Sequence, residues 1–169
     1  MRRRNATTEF LKECMADALL RLLKDKSLDE ITISEITDLA DVGRVTFYRN
    51  FTKKEDLIAF KLKLLADQYF QQMTPQQMGN NHYVIQSIFD FVYSIRDVLT
   101  TLYHARLIET SFLPLYEAVK YPSETDRGAE LKNSFLLFGM IGIILKWIQD
   151  GFKESSQELT EVLEGVLLM

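Results

Sequence analysis

Residues 31–60, ITISEITDLADVGRVTFYRNFTKKEDLIAF, hold two short helical patterns around an Asp41-Val42-Gly43 turn, followed by a charged, aromatic-tagged lead into a third helix. Glu35 lies three residues after Thr32, so the pair can form a capping box that satisfies two orphan backbone N–H donors and starts a helix. Ile33, Ile36 and Leu39/Ala40 then give that helix one apolar face. Gly43 is expected to relieve the steric limit at the turn that ends it. Between Arg44 and Asn50 the apolar positions, with Phe51 just beyond, are Val45, Phe47 and Tyr48. These are too few for a helix that stands alone, so the segment must lean on its neighbours and its other side is left free. On that side Arg44, Thr46, Arg49 and the Tyr48 hydroxyl are groups that a phosphate backbone and base edges can use.

The run Ile31-Thr32-Ile33, Ile36, Ala40 through Phe51 and Lys53-Lys54-Glu55-Asp56-Leu57 resembles the DNA-binding signature of the TetR (tetracycline repressor) family. Ser27 stands where the family commonly has Gly, and Gly43 where Ser or Ala is frequent; neither removes a required contact. The resemblance implies an all-α chain: a three-helix helix-turn-helix head over residues 1–62, joined by a long fourth helix to a helical dimerisation and effector-binding body over residues 63–169. It also implies roles. Arg44 and Val45 resemble base-contacting residues, Thr32, Thr46, Tyr48, Arg49 and Lys54 resemble phosphate-contacting ones, and Phe47 and Phe51 belong to the core. Lys53 and Arg2 to Arg4 extend the same basic cluster, while Asn50 either touches DNA or caps the short helix.

An overall charge of −4 argues against a DNA reader until the chain is divided. Residues 1–63 carry 13 Lys+Arg against 11 Asp+Glu, and residues 64–169 carry 7 against 13, so the two parts are +2 and −6. That asymmetry suits a basic reader attached to an acidic body that DNA repels. The longest apolar run, Phe135 to Leu145, spans 11 residues and is interrupted by Gly139 and Gly142. It falls short of the roughly 20 residues needed to cross a bilayer. Arg2-Arg3-Arg4 is not followed by the apolar stretch of a secretory signal, and a cytoplasmic address is expected. Cys14, the only cysteine, lies on the apolar face of the first helix and reads as a core thiol.

Working outward, Phe10/Leu11, Cys14/Met15, Ala18/Leu19 and Leu22/Leu23 recur every four residues and predict a first helix over about 8–25. Thr52, with Glu55 three residues on, is the expected N-cap of a fourth helix running to about Gln72. Residues 74–81, with Pro75, Gly79 and two Asn, form the clearest break. Beyond it, helices are expected at about 83–103, 105–120, 129–150 and 155–168. The last two carry more apolar surface than so small a body easily buries, and they are the expected site of homodimerisation. That face comprises Phe135, Phe138, Gly139, Gly142, Ile143 and Trp147 on one helix and Leu159, Val162, Leu163 and Val166 on the other. Each glycine costs roughly 1 kcal/mol against Ala in a helix interior, so a close crossing, within the subunit or between subunits, is a reasonable cause.

No nucleophile-and-base pairing, metal-ligand spacing or Gly-rich phosphate loop occurs; His82 and His104 stand apart. An enzyme, a metal site and a cofactor are therefore not expected. Fourteen of the 19 aromatic residues lie after residue 63, among them Phe89, Tyr93, Tyr103, Phe112 and Tyr116, which line a small-molecule effector pocket or belong to the core. The expected function is a homodimeric repressor of an inverted-repeat operator in double-stranded DNA, released by a small ligand. The alternative is a coactivator-type module that keeps the head and regulates through a partner protein.

Overall fold

The computed structural model describes residues 2–108, 111 and 127–167. Over these residues the chain is all-α: α1 (Arg2–Leu22), α2 (Ile33–Leu39), α3 (Arg44–Asn50), α4 (Glu55–Phe70), α5 (Pro75–Met78), α6 (Asn81–Ser94), α7 (Arg96–His104), α8 (Arg127–Gln149) and α9 (Ser156–Leu167). Most of the helix expected over 105–120 lies outside the described residues. No helix among the described residues is long and apolar enough to cross a membrane.

α1 is the spine of the head. Its Met15, Ala16, Ala18 and Leu19 are almost fully buried, and the helix packs against α2, α3 and α4. It stops at Leu22, short of Asp25: the Leu23 N–H still reaches Leu19 at 2.9 Å, but Lys24 turns to the carbonyl three back, Arg21, at 3.3 Å and Asp25 to Leu22 at 3.1 Å. Between α1 and α4 the Lys61 ammonium bridges Asp17 at 2.8 Å and Glu13 at 3.0 Å. Burial pulls its pKa down, but the bonds to Asp17 and Glu13 outweigh it and hold the group above its ordinary value.

Four local expectations are corrected. The left-handed residue of the α2–α3 turn is Asp41 (φ 54°), whereas Gly43 is extended (φ −73°) and serves as the N-cap of α3. Asp is one of the few residues with a side chain that tolerate this region, so glycine was not required there. The start of α4 is organised by Asp56 rather than by a Thr52–Glu55 box. The Asp56 carboxylate accepts the N–H groups of Thr52 at 2.8 Å and Lys53 at 3.0 Å. The break at 74–81 contains a one-turn helix, α5, closed by a capping box between Thr74 and Gln77. Finally, the helix expected over 83–103 is split at Ile95. The Phe91 carbonyl still takes the Ile95 N–H at 3.2 Å and is shared by Ser94 Oγ at 2.7 Å, while the Arg96 guanidinium donates to the Tyr93 carbonyl at 3.2 Å, one of those the end of α6 leaves over.

α6 carries the body. It packs against α5, α7 and α9, while α7 reaches both α8 and α1. Phe89 and Tyr93 of α6 meet Trp147 of α8, edge-on with ring centroids 6.0 Å apart and stacked at 5.9 Å respectively. The Trp147 indole N–H donates to the Glu154 carbonyl at 3.0 Å, closing the elbow between α8 and α9. Gly151 (φ 76°) and Phe152 (φ 58°) make that elbow's left-handed turn. Between α6 and α9, Asp90 accepts hydrogen bonds from Ser156 Oγ and from Gln86 Nε2, the latter at 3.1 Å.

Candidate nucleic-acid interface

The interface is built on α2. Thr32 accepts the Glu35 N–H at 3.2 Å, and its own N–H and hydroxyl each donate to Glu35 Oε2 at 2.8 Å. Both halves of the expected capping box are therefore made, and the Thr32 hydroxyl is engaged within it. The opposite Glu35 oxygen takes the Lys26 ammonium at 2.5 Å, a partner nine residues away that no local pattern announces. Behind the box Ile36 and Thr37 are fully buried, and the Thr37 hydroxyl bonds back to the Ile33 carbonyl at 3.0 Å.

The Lys26 bond, followed by the Thr32 N–H and hydroxyl, lowers the Glu35 pKa to about 2. A depressed carboxylate contributes stability that is complete above the ordinary value near 4.5 and lost as pH falls through the folded value near 2. The head of a Glu35→Gln variant is expected to show a flatter loss of stability between those two pH values than the wild-type head. Urea midpoints at pH 6, 4 and 3 would check this, and parallel curves would contradict it.

α3 has one buried residue, Phe47, which meets Tyr48 edge-on at 5.5 Å and Phe51 at 5.8 Å; Phe51 in turn meets Phe60 of α4 at 5.9 Å. With 3.6 residues per turn, Val45 and Arg49 fall opposite Phe47 and Tyr48 falls on its flank, while Arg44, nearer to the Phe47 side, lies at the open start of the helix. All four are exposed, Val45 at 61% and Tyr48 at 64%. Arg44, Arg49 and the exposed Lys53 form no ion pair among the described residues. Thr46 is half-buried, and the exposed Asn50 donates its side-chain N–H to the Thr46 carbonyl at 2.7 Å. Lys54 is turned inward, its ammonium 2.5 Å from the Leu28 carbonyl and 2.7 Å from that of Ile31. The surface α3 leaves outside thus combines two guanidinium forks, a phenol and one branched apolar side chain. That set can grip phosphates, read guanine edges and touch a thymine methyl.

The residues expected on a self-association face divide in two. Phe135, Phe138, Gly139, Gly142, Val162 and Val166 are exposed and Ile143 is half-buried, whereas Trp147, Leu159 and Leu163 are taken up by the subunit's own core. A Cβ placed on Gly139 or Gly142 would meet no atom within 4 Å among the described residues, so packing among those residues does not call for either glycine. An open cleft of about 460 Å³ lies over them, between α8 and α9.

Of the aromatic residues expected to line a pocket or join the core, the three described ones do not share a cavity among the described residues. Phe89 is buried in the core, Tyr93 stacks on Trp147 and is 44% exposed, and Tyr103 is half-buried beside His104; Phe112 and Tyr116 lie outside the described residues. A cleft of about 300 Å³ sits elsewhere, between the start of α4 and Leu107 and Ser111.

Residues 16–59, from the middle of α1 into α4, match the family model described as bacterial regulatory proteins, tetR family. No curated protein matches the chain.

Proposed function

Taking the chain as what its head makes it, a DNA-binding transcriptional regulator of the TetR family, we propose that it works as a homodimeric repressor of an inverted-repeat operator, released by a small ligand. Residues 1–62 act as the reader and residues 63–169 as the dimerisation and effector-binding body, working in the cytoplasm. The observation that carries this reading is α3, with Phe47 inward, Arg44, Val45, Tyr48 and Arg49 exposed, and neither arginine in an ion pair among the described residues. In a dimer two such helices enter successive major grooves, so their separation must match about 34–36 Å or a multiple. Pairing through α8 and α9 is supported by the exposed Leu131, Phe135, Val162 and Val166, and by glycines whose helix cost no packing among the described residues offsets. A ligand bound in the body would release DNA by favouring the arrangement in which the two readers are wrongly spaced.

Arg44→Ala should weaken binding to an operator recovered by selection from genomic DNA by about 1–3 kcal/mol, the value of a bidentate base contact. Tyr48→Ala should do so by less, since it removes one hydroxyl and a ring. Titration of the purified chain at two salt concentrations checks both; unchanged affinity in both variants would reject this surface. A shift of the operator only when cell extract is present would favour the coactivator alternative.

A further inference from the structure

Lys53 and Lys54 stand side by side where α3 hands over to α4, but the structure uses them differently. Lys53 is exposed and forms no ion pair among the described residues. Lys54 commits two of its three ammonium N–H groups to the carbonyls of Leu28 and Ile31. Those carbonyls belong to the loop between α1 and α2, whose Leu28 and Ile31 side chains are buried in the core. Ile31 immediately precedes Thr32, the N-cap of α2. One side chain therefore joins the start of α4 to the start of α2, with α3 held between them in sequence. On the other flank, Asp56 fixes the backbone of Thr52 and Lys53. Bonds from an ammonium are roughly twice as strong as neutral ones, and swinging Lys54 out to a phosphate would leave both carbonyls without it.

We infer that Lys54 is a positioning residue, which sets the pose of α2 and α3 for DNA without itself touching a phosphate, and that the phosphate contact at this corner is made by Lys53. The inference rests on the DNA-binding reading above.

The test uses the full chain and an operator duplex recovered by selection, with affinity measured across a salt series well below the melting temperature. Lys53→Met should reduce the slope of log affinity against log salt by about 0.9, one phosphate contact. Lys54→Met should leave the slope unchanged and lower affinity about tenfold at every salt concentration. A Lys54→Met slope that falls as Lys53→Met does would overturn the inference, as would unchanged affinity with only a lower melting temperature. If Lys54→Met does not fold, wild-type chain with ¹⁵N-labelled lysine serves instead. The Lys54 ammonium signal should be present in the free protein and unmoved by operator, and scalar coupling to phosphorus at that nitrogen would overturn the assignment. A wild-type chain with no salt-dependent DNA binding would sink the regulator reading itself, a failure seen without any lysine variant.

Discussion

Phe47→Ala should cost about 3–5 kcal/mol of stability, the usual range for emptying a buried Phe site. Native domains have about 5–15 kcal/mol in total, so most of the head's margin would go. The reason lies in the length of α3. Seven residues are too few to persist as an isolated helix, and Phe47 is the one residue of that helix that is buried. Removing the ring also takes away the edge that Tyr48 leans on and the partner of Phe51. DNA binding should therefore disappear together with stability. Tyr48→Ala, one residue on and 64% exposed, should change stability by no more than about 0.5 kcal/mol. Urea denaturation of the two variants, followed by helical circular dichroism, separates the effects. A Phe47→Ala loss below about 1 kcal/mol would mean that α3 is held by something other than its aromatic anchor.

The second large effect is expected in the body. Phe135 of α8 is 68% exposed and Val162 of α9 56% exposed, so glutamate at both positions should leave the subunit folded. If these side chains are buried between two copies, each of the four in the dimer contributes roughly 1.5–3 kcal/mol, and the double variant should dissociate more readily by at least about four orders of magnitude. Sedimentation at several concentrations would show a wild-type dimer and a monomeric variant with the same helical content. Equal association of the two would place the pairing surface elsewhere. Operator affinity should fall with the dimer, because the second half-site no longer adds its contacts.

How much of this was legible in the sequence depends on how far apart the interacting groups are. The Thr32–Glu35 box and the limits of α3 are read from neighbours three or four residues apart, and both stand in the structure. The same box pattern at Thr52 misleads, because a pattern of residue types does not say where a helix begins. α4 starts at Glu55, and the carboxylate that reaches back is Asp56. The break at Ile95 contains neither Pro nor Gly; it is accompanied by a serine hydroxyl and a guanidinium bonded to carbonyls at the end of α6, which hydrophobic periodicity cannot register. Lys26 with Glu35, Lys54 with the α1–α2 loop and Lys61 with α1 join residues 9 to 48 positions apart, and nothing in a local window names such partners. The apolar residues of α8 and α9 were visible as a set, but periodicity could not sort them, since both the inward and the outward sides of these helices are apolar. Only the packing assigns Trp147, Leu159 and Leu163 inward and leaves Phe135, Val162 and Val166 outside.

Trp147 is the chain's single tryptophan, 1% exposed, and its ring neighbours Phe89, Tyr93 and Phe152 all belong to the body. Ultraviolet emission excited at the red edge of the indole band is therefore a private channel onto the α8–α9 elbow, silent about side chains of the reader. A spectral change on adding operator would have to travel through the polypeptide to reach that fluorophore, and a small molecule would change the spectrum directly only by binding against the elbow. The protein carries, unlabelled, an optical reporter of whether an event at the reader reaches the elbow of the body.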